Sequence, residues 1–424
     1  MRARIVFALA ASLGLAACQS DGPTPTGAPL SAAAGQEDLL TLLPAPALNN
    51  AQKALLSTIR GRPSTSEVNV GRLASVAARL LHQGGGAVRL SLAPGRQVVA
   101  QGAQVEERGQ NDISWSGPLQ GEEGTLQLVL SNEGMTGNIR TETTLFHIEP
   151  LGGGLHAVSR VDMSKLPPEH TPDNPSGVLD YAGPALDASP FEGSPYTTAL
   201  AAASTQNVLV VYTAAALTAS GNITNLIQLA VDETNRSYTN SGVGITMTRV
   251  HTAQVTYSEA GRSFSQHTTA LRSSTDGIMD VVHTLRNTYA ADIVLLVVND
   301  SEACGQAAAI KATSTTAFAV AHYSCITGYY SFGHEIGHLQ GARHDRAVDG
   351  STSPYTYGHG YVDPNDRWRT IMAYGNACNN CTRVQYWSTP LKTYPSTGQV
   401  MGTATYEDNA RVLNTTAATV AAFR

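Results

Sequence analysis

The sequence is poor in charged and aromatic residues, which make up 14% and 6% of its 424 positions. Its formal net charge is −6 at pH 7, and its lysines and arginines form no block, so the composition argues against nucleic acid as a partner. The apolar run at the N-terminus, residues 5–15, is too short to remain in a membrane as a spanning helix. The chain is long enough for two domains joined by linkers.

The N-terminus has the composition of an export signal, because two arginines precede the apolar run and small residues follow it. Residues 15–18, Leu-Ala-Ala-Cys, resemble the bacterial lipobox, in which the cysteine is acylated and becomes the mature N-terminus. Ordinary signal cleavage beside an incidental Cys18 is the alternative. We expect a lipoprotein-type signal peptide at 1–18. Since Gln19 is not the aspartate associated with inner-membrane retention, we expect an outer-membrane lipoprotein or a released extracellular protein.

Cysteine is scarce, with five residues in all, and Cys18 is the only one before residue 204. The other four are Cys304, Cys325, Cys378 and Cys381. An even number in an exported chain predicts two disulfides, for which three pairings exist, and proximity favours Cys304 with Cys325 and Cys378 with Cys381. The Cys-x-x-Cys pair could also be half of a zinc site or a redox pair. No second Cys-x-x-Cys is present to complete such a zinc site.

The first half of the chain predicts a tether and a small β-rich domain. Residues 19–37 are rich in Pro, Gly, Ser, Thr and Ala, which is typical of a flexible tether. Residues 38–166 contain a short helix from about Asn49 and then strands with alternating apolar residues, such as 126–130, separated by glycine turns. This domain has no catalytic constellation of its own. Residues 167–204, rich in Pro, Gly and Ala, predict a linker and the region of proteolytic processing.

Residues 205–424 predict an α/β domain. Strands are predicted at 208–212, 245–257 and 293–298, with helices near 223–231 and 278–285 between them. The order strand, helix, strand, helix, strand predicts a twisted, mostly parallel sheet with crossover helices.

One motif, His334-Glu335-x-x-His338-x-x-Gly341-x-x-His344, carries the chemistry. On a helix, His334 and His338 project from the same face, so both ring nitrogens can reach one ion at about 2.0–2.1 Å. Glu335 lies about 100° around the helix, where it can take a proton from water instead of binding metal. Gly341 can adopt the positive φ that ends a helix and turns His344 towards the ion. Three nitrogens and a water make an open, catalytic Zn²⁺ site.

The alternative for a bare His-Glu-x-x-His is an amphipathic helix with two surface histidines. Gly341 and His344, at their offsets, favour one catalytic Zn²⁺, and a structural calcium is left open. A zinc ion that already holds three histidines has no need of His322 or His359. We interpret these two as surface groups or as groups that support the ligands.

The zinc motif resembles that of the metzincin metallopeptidases, and residues 370–374 resemble their methionine turn, although Met372 alone could be core filler. Asp345, directly after the third histidine, resembles the reprolysin branch. Tyr374 resembles the tyrosine of astacins and serralysins that swings between zinc and the transition state. A buried tyrosine with a structural hydrogen bond is an equal alternative. The metzincin order implies that residues 317–322 form the edge strand above the cleft, where a peptide substrate adds by main-chain hydrogen bonds.

Residues 357–361, 368–372 and 409–414 resemble bacterial reprolysin-like enzymes of the peptidyl-Asp metallopeptidase type. This resemblance covers roughly the C-terminal half of the chain. It implies a zinc endopeptidase that acts on polypeptides and a propeptide at 38–166 that inhibits it.

The same resemblance implies cleavage on the amino side of acidic residues, which needs a cation in the pocket for that acid. Arg383 is the first basic residue after the methionine turn and could grip a carboxylate in bidentate fashion. A surface arginine paired with a local acid is the alternative reading of Arg383. Arg367, Arg369 and Lys392 are rivals for the pocket.

Latency requires a group that caps the zinc. Cys18, expected to be lipidated, is the only cysteine before residue 204, so a cysteine switch is excluded and Glu169, His170 or Asp173 is the candidate cap. The competing hypothesis is a zinc-binding surface lipoprotein without proteolytic activity, against which Glu335 argues, because a structural zinc has no use for a base. A further alternative treats the first domain as an independent adhesion domain.

Overall fold

The computed structural model describes residues 37–82, 86–109, 111–171 and 203–424. Cys18, Asp173, the signal peptide, nearly all of the tether and most of the predicted processing region lie outside the described residues. The described residues form one compact unit, in which each of two large sheets comes from one half of the sequence. Among the described residues, no helix is both long and apolar enough to cross a membrane.

The N-terminal sheet has ten strands and two accompanying helices, α1 (Asn50–Arg60) and α2 (Ala77–His82). The strands are β1 (Glu37–Leu42), β2 (Thr65–Leu73), β3 (Ala87–Ala93), β4 (Arg96–Gln101), β5 (Gln104–Gly109), β6 (Asp112–Pro118), β7 (Gly124–Ser131), β8 (Gly134–Thr141), β9 (Leu145–Gly152) and β10 (Leu155–Val161). Their order is β4-β3-β1-β2-β10-β9-β8-β7-β6-β5, and only β1 and β3 pair in parallel. Strands β5 to β10 of the predicted β-rich segment thus form an antiparallel meander, which β10 joins to the first four strands by pairing with β2.

Alternating apolar residues fold this sheet around one core. Leu126 and Leu128 of β7 are buried with Ile139 of β8 in the same cluster. The chain turns between these strands at Gly134, whose φ is +118° and where an added Cβ would lie 2.7 Å from Pro150. The turn expected at this position is therefore confirmed, and only glycine fits it without strain.

The C-terminal sheet has five strands and most of the helices. Its strands are β11 (Ser204–Tyr212), β12 (Ile245–Gln254), β13 (Ile293–Val298), β14 (Gly305–Ala307) and β15 (Phe318–His322). The helices are α3 (Ala214–Ser220), α4 (Ile223–Ser241), α5 (Phe264–Arg272), α6 (Val281–Thr288), α7 (Ser331–Gln340) and α8 (Asn409–Val420). Two small ladders follow α7, namely β16 (Trp368–Arg369) with β17 (Thr382–Arg383) and β18 (Thr389–Thr393) with β19 (Val400–Met401).

The expected position of residues 317–322 at the sheet edge is wrong. The strand order is β12-β11-β13-β15-β14, so β15 lies inside the sheet and the antiparallel strand β14 forms the edge. An apolar strand that is buried on both faces suits an inner position in the sheet. The apolar run alone does not indicate which strands lie on either side of it. The true edge, Gly-Gln-Ala, is too short to show any periodicity.

β13 lies at the centre of the C-terminal core, with all six residues buried. Ile293, Leu295 and Val297 pack on one face with residues of α4 and α7. The alternate residues pack on the other face with residues of α5 and α6. A continuous apolar strand covered on both faces is what the sequence predicts for a mostly parallel sheet.

The N-terminal sheet contacts α4 through polar side chains that are buried or partly buried. The Asn138 side-chain amide donates to the Glu233 carboxylate at 2.6 Å. Asn225 donates to the Gly134 carbonyl at 3.0 Å, and Arg236 donates to the Ser116 hydroxyl at 2.8 Å. These contacts join the two halves of the chain.

We expect Asn138→Ala to destabilise the full chain by about 1–3 kcal/mol, because it removes the donor to Oε1 of the buried Glu233 carboxylate, whose Oε2 keeps the Gly328 N–H at 2.7 Å. Denaturant unfolding measures this change. The matched control is Asn111→Ala, which removes an exposed amide–amide hydrogen bond of 2.9 Å and should change stability by less than about 0.5 kcal/mol. Equal losses in the two variants would contradict the importance of this interface.

Candidate metal centre and active site

The helix α7 carries His334 and His338 one turn apart, and every residue of the helix is buried. It ends at Gln340 because Gly341 adopts a φ of +108° and donates its N–H to the carbonyl of His338 at 2.8 Å. A side chain at this position would be strained. The reversal brings His344 beside the two helix histidines, as the motif predicts.

Four imidazoles converge at one point, since His170 joins the three histidines of the motif. The Nε2 of His344 lies 3.1 Å from that of His334 and 2.9 Å from that of His338. The Nε2 of His170 lies 3.3 Å from that of His334. Nitrogens that bind one tetrahedral zinc at about 2.0–2.1 Å are about 3.3 Å apart, so these spacings fit a single zinc ion.

Backbone carbonyls orient three of these rings. A carbonyl oxygen can only accept, so the nearby Nδ1 carries the proton and Nε2 keeps its lone pair. The Nδ1–carbonyl pairs are His334 with Ile371 at 2.9 Å, His338 with Ala342 at 2.9 Å, and His170 with Gly305 at 3.1 Å. Burial lowers the pKa of all four histidines, which favours the neutral form that binds metal. Neutral lone pairs that face one another are the donor set of Zn²⁺.

Glu335 lies next to the first ligand position and is 1% exposed. Burial raises the pKa of its carboxyl well above the usual value, against the opposing effects of Arg383 and a backbone hydrogen bond from Ala307. The carboxylate packs on the edge strand at Gly305, where an added Cβ would lie 2.2 Å from Oε1. Glu335 is outside the converging group of four histidines.

A methionine lies beneath α7. An added Cβ on Gly337 would lie 3.1 Å from Sδ of Met372 and 2.6 Å from the Trp387 ring, so the helix rests directly on these two side chains. The carboxylate of Asp345 accepts a hydrogen bond from the Tyr374 N–H at 2.9 Å. The segment after the third histidine is thereby tied to the turn that holds the methionine.

The ring of Tyr374 lies over the histidine cluster. Its centroid is 4.2 Å from that of His344 and 5.3 Å from that of His170, on which it stacks at 24°. The residue is 7% exposed. Tyr374 is therefore placed to touch whatever group occupies the position of the His170 imidazole.

Arg383 lies beside Glu169, the residue before His170. Its guanidinium donates to Oε1 of Glu169 at 2.8 Å, and that of Arg369 donates to the same oxygen at 2.7 Å. The Tyr329 hydroxyl donates to this oxygen at 2.6 Å. Burial raises the pKa of the Glu169 carboxyl, but Arg383 and Arg369 outweigh it and hold that pKa below its usual value.

Comparisons with known proteins give the family. The reprolysin-type profile of metallo-peptidase family M12 matches residues 202–388. A peptidyl-Asp metalloendopeptidase of Stenotrophomonas maltophilia is 46% identical over 310 residues, covering 71% of this chain and 70% of that protein. One of Xanthomonas campestris is 42% identical over 348 residues, covering 78% and 80%. A third, of Pseudomonas fragi, is 43% identical over 193 residues, which cover 45% of this chain and 100% of that protein.

The chain belongs to metallo-peptidase family M12. This M12 protein is a zinc metalloendopeptidase, and the hypothesis of a zinc-binding protein without proteolytic activity is not favoured. The alignment with a solved chaperone–substrate complex covers 80% of this chain and 41% of the solved chain. Its TM-score of 0.42 and 16% sequence identity are too low to inform the fold.

The structure brings together some predicted residues of this metallopeptidase and separates others. Arg367 pairs instead with Asp363 at 2.6 Å and is 44% exposed, and Lys392 lies exposed on β18. His359 is buried and donates through Nδ1 to the His344 carbonyl at 2.8 Å, so it is not a surface group and it orients the backbone of a proposed ligand. Tyr329 was missed, since no motif marks it.

Both favoured disulfides of the metallopeptidase are formed, Cys304 with Cys325 and Cys378 with Cys381. The first lies at the start of the edge strand β14. The second closes the short 3₁₀ turn that follows Tyr374. Each therefore fastens a loop that borders the metal centre.

We expect Gly337→Ala to destabilise the protein by about 1–3 kcal/mol and to weaken zinc retention, because the new methyl group would meet the Trp387 ring at 2.6 Å. Gly333→Ala in the same helix is the control, since its nearest neighbour is a Thr234 side chain at 3.2 Å. Thermal unfolding and zinc content measure both effects. A smaller loss in Gly337→Ala than in the control would contradict the close packing of methionine, tryptophan and helix.

Proposed function

We propose that His334, His338 and His344 hold the catalytic zinc and that Glu335 is the general base. The observation that carries this assignment is the convergence of buried Nε2 atoms at 2.9–3.1 Å beside a buried carboxylate. Met372 and Trp387 support the helix from below. The local motif and the geometry support the same three ligands.

Bound zinc supplies Lewis-acid chemistry, because it acidifies water and polarises the scissile carbonyl. Glu335 takes a proton from the attacking water and passes it to the leaving amine. Its side chain is 1% exposed and adjoins the proposed ligand His334, so the proton transfer would take place away from bulk water. Tyr374, whose ring lies 4.2 Å from that of His344, is proposed to help stabilise the oxyanion.

Glu335→Gln should retain one zinc per chain and lose proteolysis by several orders of magnitude, because the ligands survive and the base does not. Zinc content and hydrolysis of casein are measured on the same preparation. Glu133→Gln, in the exposed turn between β7 and β8, serves as the control and should keep both. Near-wild-type turnover by zinc-loaded Glu335→Gln would contradict the assignment of Glu335 as the general base.

We also propose that the enzyme cleaves on the amino side of acidic residues. The relatives at 42–46% identity are named peptidyl-Asp metalloendopeptidases, which supports such a preference. Arg383 supports it further, because its guanidinium is 2% exposed and already binds a carboxylate beside the metal centre. A buried guanidinium matches carboxylate geometry better than an ammonium does.

Arg383→Ala should reduce the preference for Asp and Glu after the scissile bond by about tenfold or more, because a charge-assisted hydrogen bond is worth about 1.5–3 kcal/mol. Cleavage of a peptide library measures the preference. Arg367→Ala, which removes an exposed arginine of the same segment, is the control and should keep the wild-type profile. An unchanged profile in Arg383→Ala would remove this residue from the pocket.

We propose that the enzyme is made as a latent, lipid-anchored precursor. In this organisation residues 1–18 are the signal peptide, 38–166 the propeptide domain, 167–204 the processing region and 205–424 the catalytic domain. Support comes from the N-terminal lipobox-like sequence and from the contacts of the first sheet with α4. It also comes from the Pseudomonas fragi relative, whose whole length aligns with 45% of this chain.

His170 is the proposed cap. Its Nε2 lies 3.3 Å from that of His334, and its ring stacks on Tyr374, so it fills the place that a water and a substrate carbonyl need. With His170 as fourth nitrogen, the site would have the closed coordination of a structural zinc. The propeptide would then block catalysis without any cysteine.

A chain that begins at Thr205 should cleave a small peptide at least about tenfold faster than the full chain, because it lacks the fourth nitrogen. Both proteins are loaded with zinc and checked for secondary structure by circular dichroism. The truncated chain with Glu335→Gln controls for contaminating proteases. Equal rates in the full and truncated chains would contradict the propeptide.

A further inference from the structure

One carboxylate oxygen of Glu169 binds three donors of the catalytic half. Arg369, Arg383 and Tyr329 donate to Oε1 at 2.7, 2.8 and 2.6 Å. The two guanidinium groups are 3% and 2% exposed, and the Glu169 side chain is 13% exposed. Three donors on one oxygen, two of them from buried guanidinium groups, form a built anion site.

The donors are positioned without help from Glu169. Arg369 donates through Nε to the Ala373 carbonyl at 2.9 Å and also to the Cys381 carbonyl. Arg383 donates to the Tyr329 carbonyl at 3.0 Å, and its guanidinium lies 4.4 Å from the centre of the Tyr329 ring. The site would therefore persist after the N-terminal segment has left.

The arginines of this site need an anion. Among the described residues, Glu169 is the only carboxylate paired with either of them. Two buried guanidinium groups without a counter-ion are unstable, so departure of Glu169 leaves a place for another carboxylate.

The anion site is one residue away from the metal centre. His170, which follows Glu169, reaches the histidine cluster, and consecutive Cα atoms are about 3.8 Å apart. The pocket thus receives a side chain next to the group at the metal. In a peptide substrate, that side chain belongs to a residue flanking the scissile bond.

We propose that Glu169 stands in for the acidic residue of a substrate, in a specificity pocket formed by Arg369, Arg383 and Tyr329. This inference rests on the proposed preference for acidic residues and deepens it. It adds Arg369 and Tyr329 to the pocket and makes the propeptide a pseudosubstrate rather than only a cap of the zinc.

The order of residues explains why this pseudosubstrate is not cleaved. A substrate cut before its acid presents the carbonyl of the preceding residue to the metal. Here the preceding residue is Pro168, whose carbonyl accepts a hydrogen bond from the Cys304 N–H at 2.7 Å. The group at the metal is the imidazole of the following residue, His170. The acid fills its pocket while no scissile carbonyl is at the metal.

The first test is hydrogen exchange of the zinc-loaded full chain in the Glu335→Gln background, which prevents self-cleavage. Glu169→Gln should speed exchange of the Cys304 amide, which donates to Pro168, on the order of 10- to 100-fold, because charge-assisted bonds are lost. Glu169→Asp keeps the charge and should lose less protection. Glu133→Gln is the control. Unchanged exchange in Glu169→Gln overturns the proposal.

The second test profiles peptide cleavage by the processed enzyme. Arg369→Ala should reduce the preference for Asp and Glu at least about tenfold, whereas Arg367→Ala should not. A clear acidic preference in wild type that survives in Arg369→Ala overturns the pocket and leaves the proposed specificity standing. Absence of any acidic preference in wild type overturns the specificity and this inference together.

Discussion

The lone pairs of four buried imidazoles point at one another within 4.8 Å, an arrangement that is repulsive until a cation lies between them. Several local features exist to hold the rings there. Gly341 ends α7 with a positive φ so that His344 can return, and Gly337 lets the helix rest on Met372. Asp345 ties the returning segment to the turn beneath the helix. The stability of the catalytic half is therefore coupled to zinc through its geometry.

A second electrostatic constraint lies beside the first. Arg369 and Arg383 are held by backbone carbonyls in a buried site, where both guanidinium groups pair with the Glu169 carboxylate. The histidine cluster binds metal through neutral imidazole nitrogens, whereas the two arginines bind an anion. Two consecutive residues supply both groups, since Glu169 pairs with the arginines and His170 places its Nε2 3.3 Å from that of His334.

The sequence predicts the features whose signals are local. The convergence of His334, His338 and His344 follows from helical spacing and one glycine, and β13 follows from a short run of apolar residues. The sequence does not reveal contacts between distant positions. Glu169 meets Arg369 across 200 residues without any motif, so Glu169 could be named as a possible cap but not as the occupant of an arginine pocket. The misplaced edge strand has the same cause, because strand order depends on pairing across the whole sheet.

If Glu169 and His170 inhibit as proposed, they compete with substrate from within the same chain. A tethered group acts at an effective concentration in about the millimolar range, so ordinary substrate concentrations do not displace it. A cut between Thr171 and β11 makes the competition bimolecular. The contact between Asn138 and Glu233 survives that cut, so the propeptide can remain bound by its sheet. Activation then needs two events, the cut and the loss of the sheet interface, and the slower one sets the rate at which activity appears.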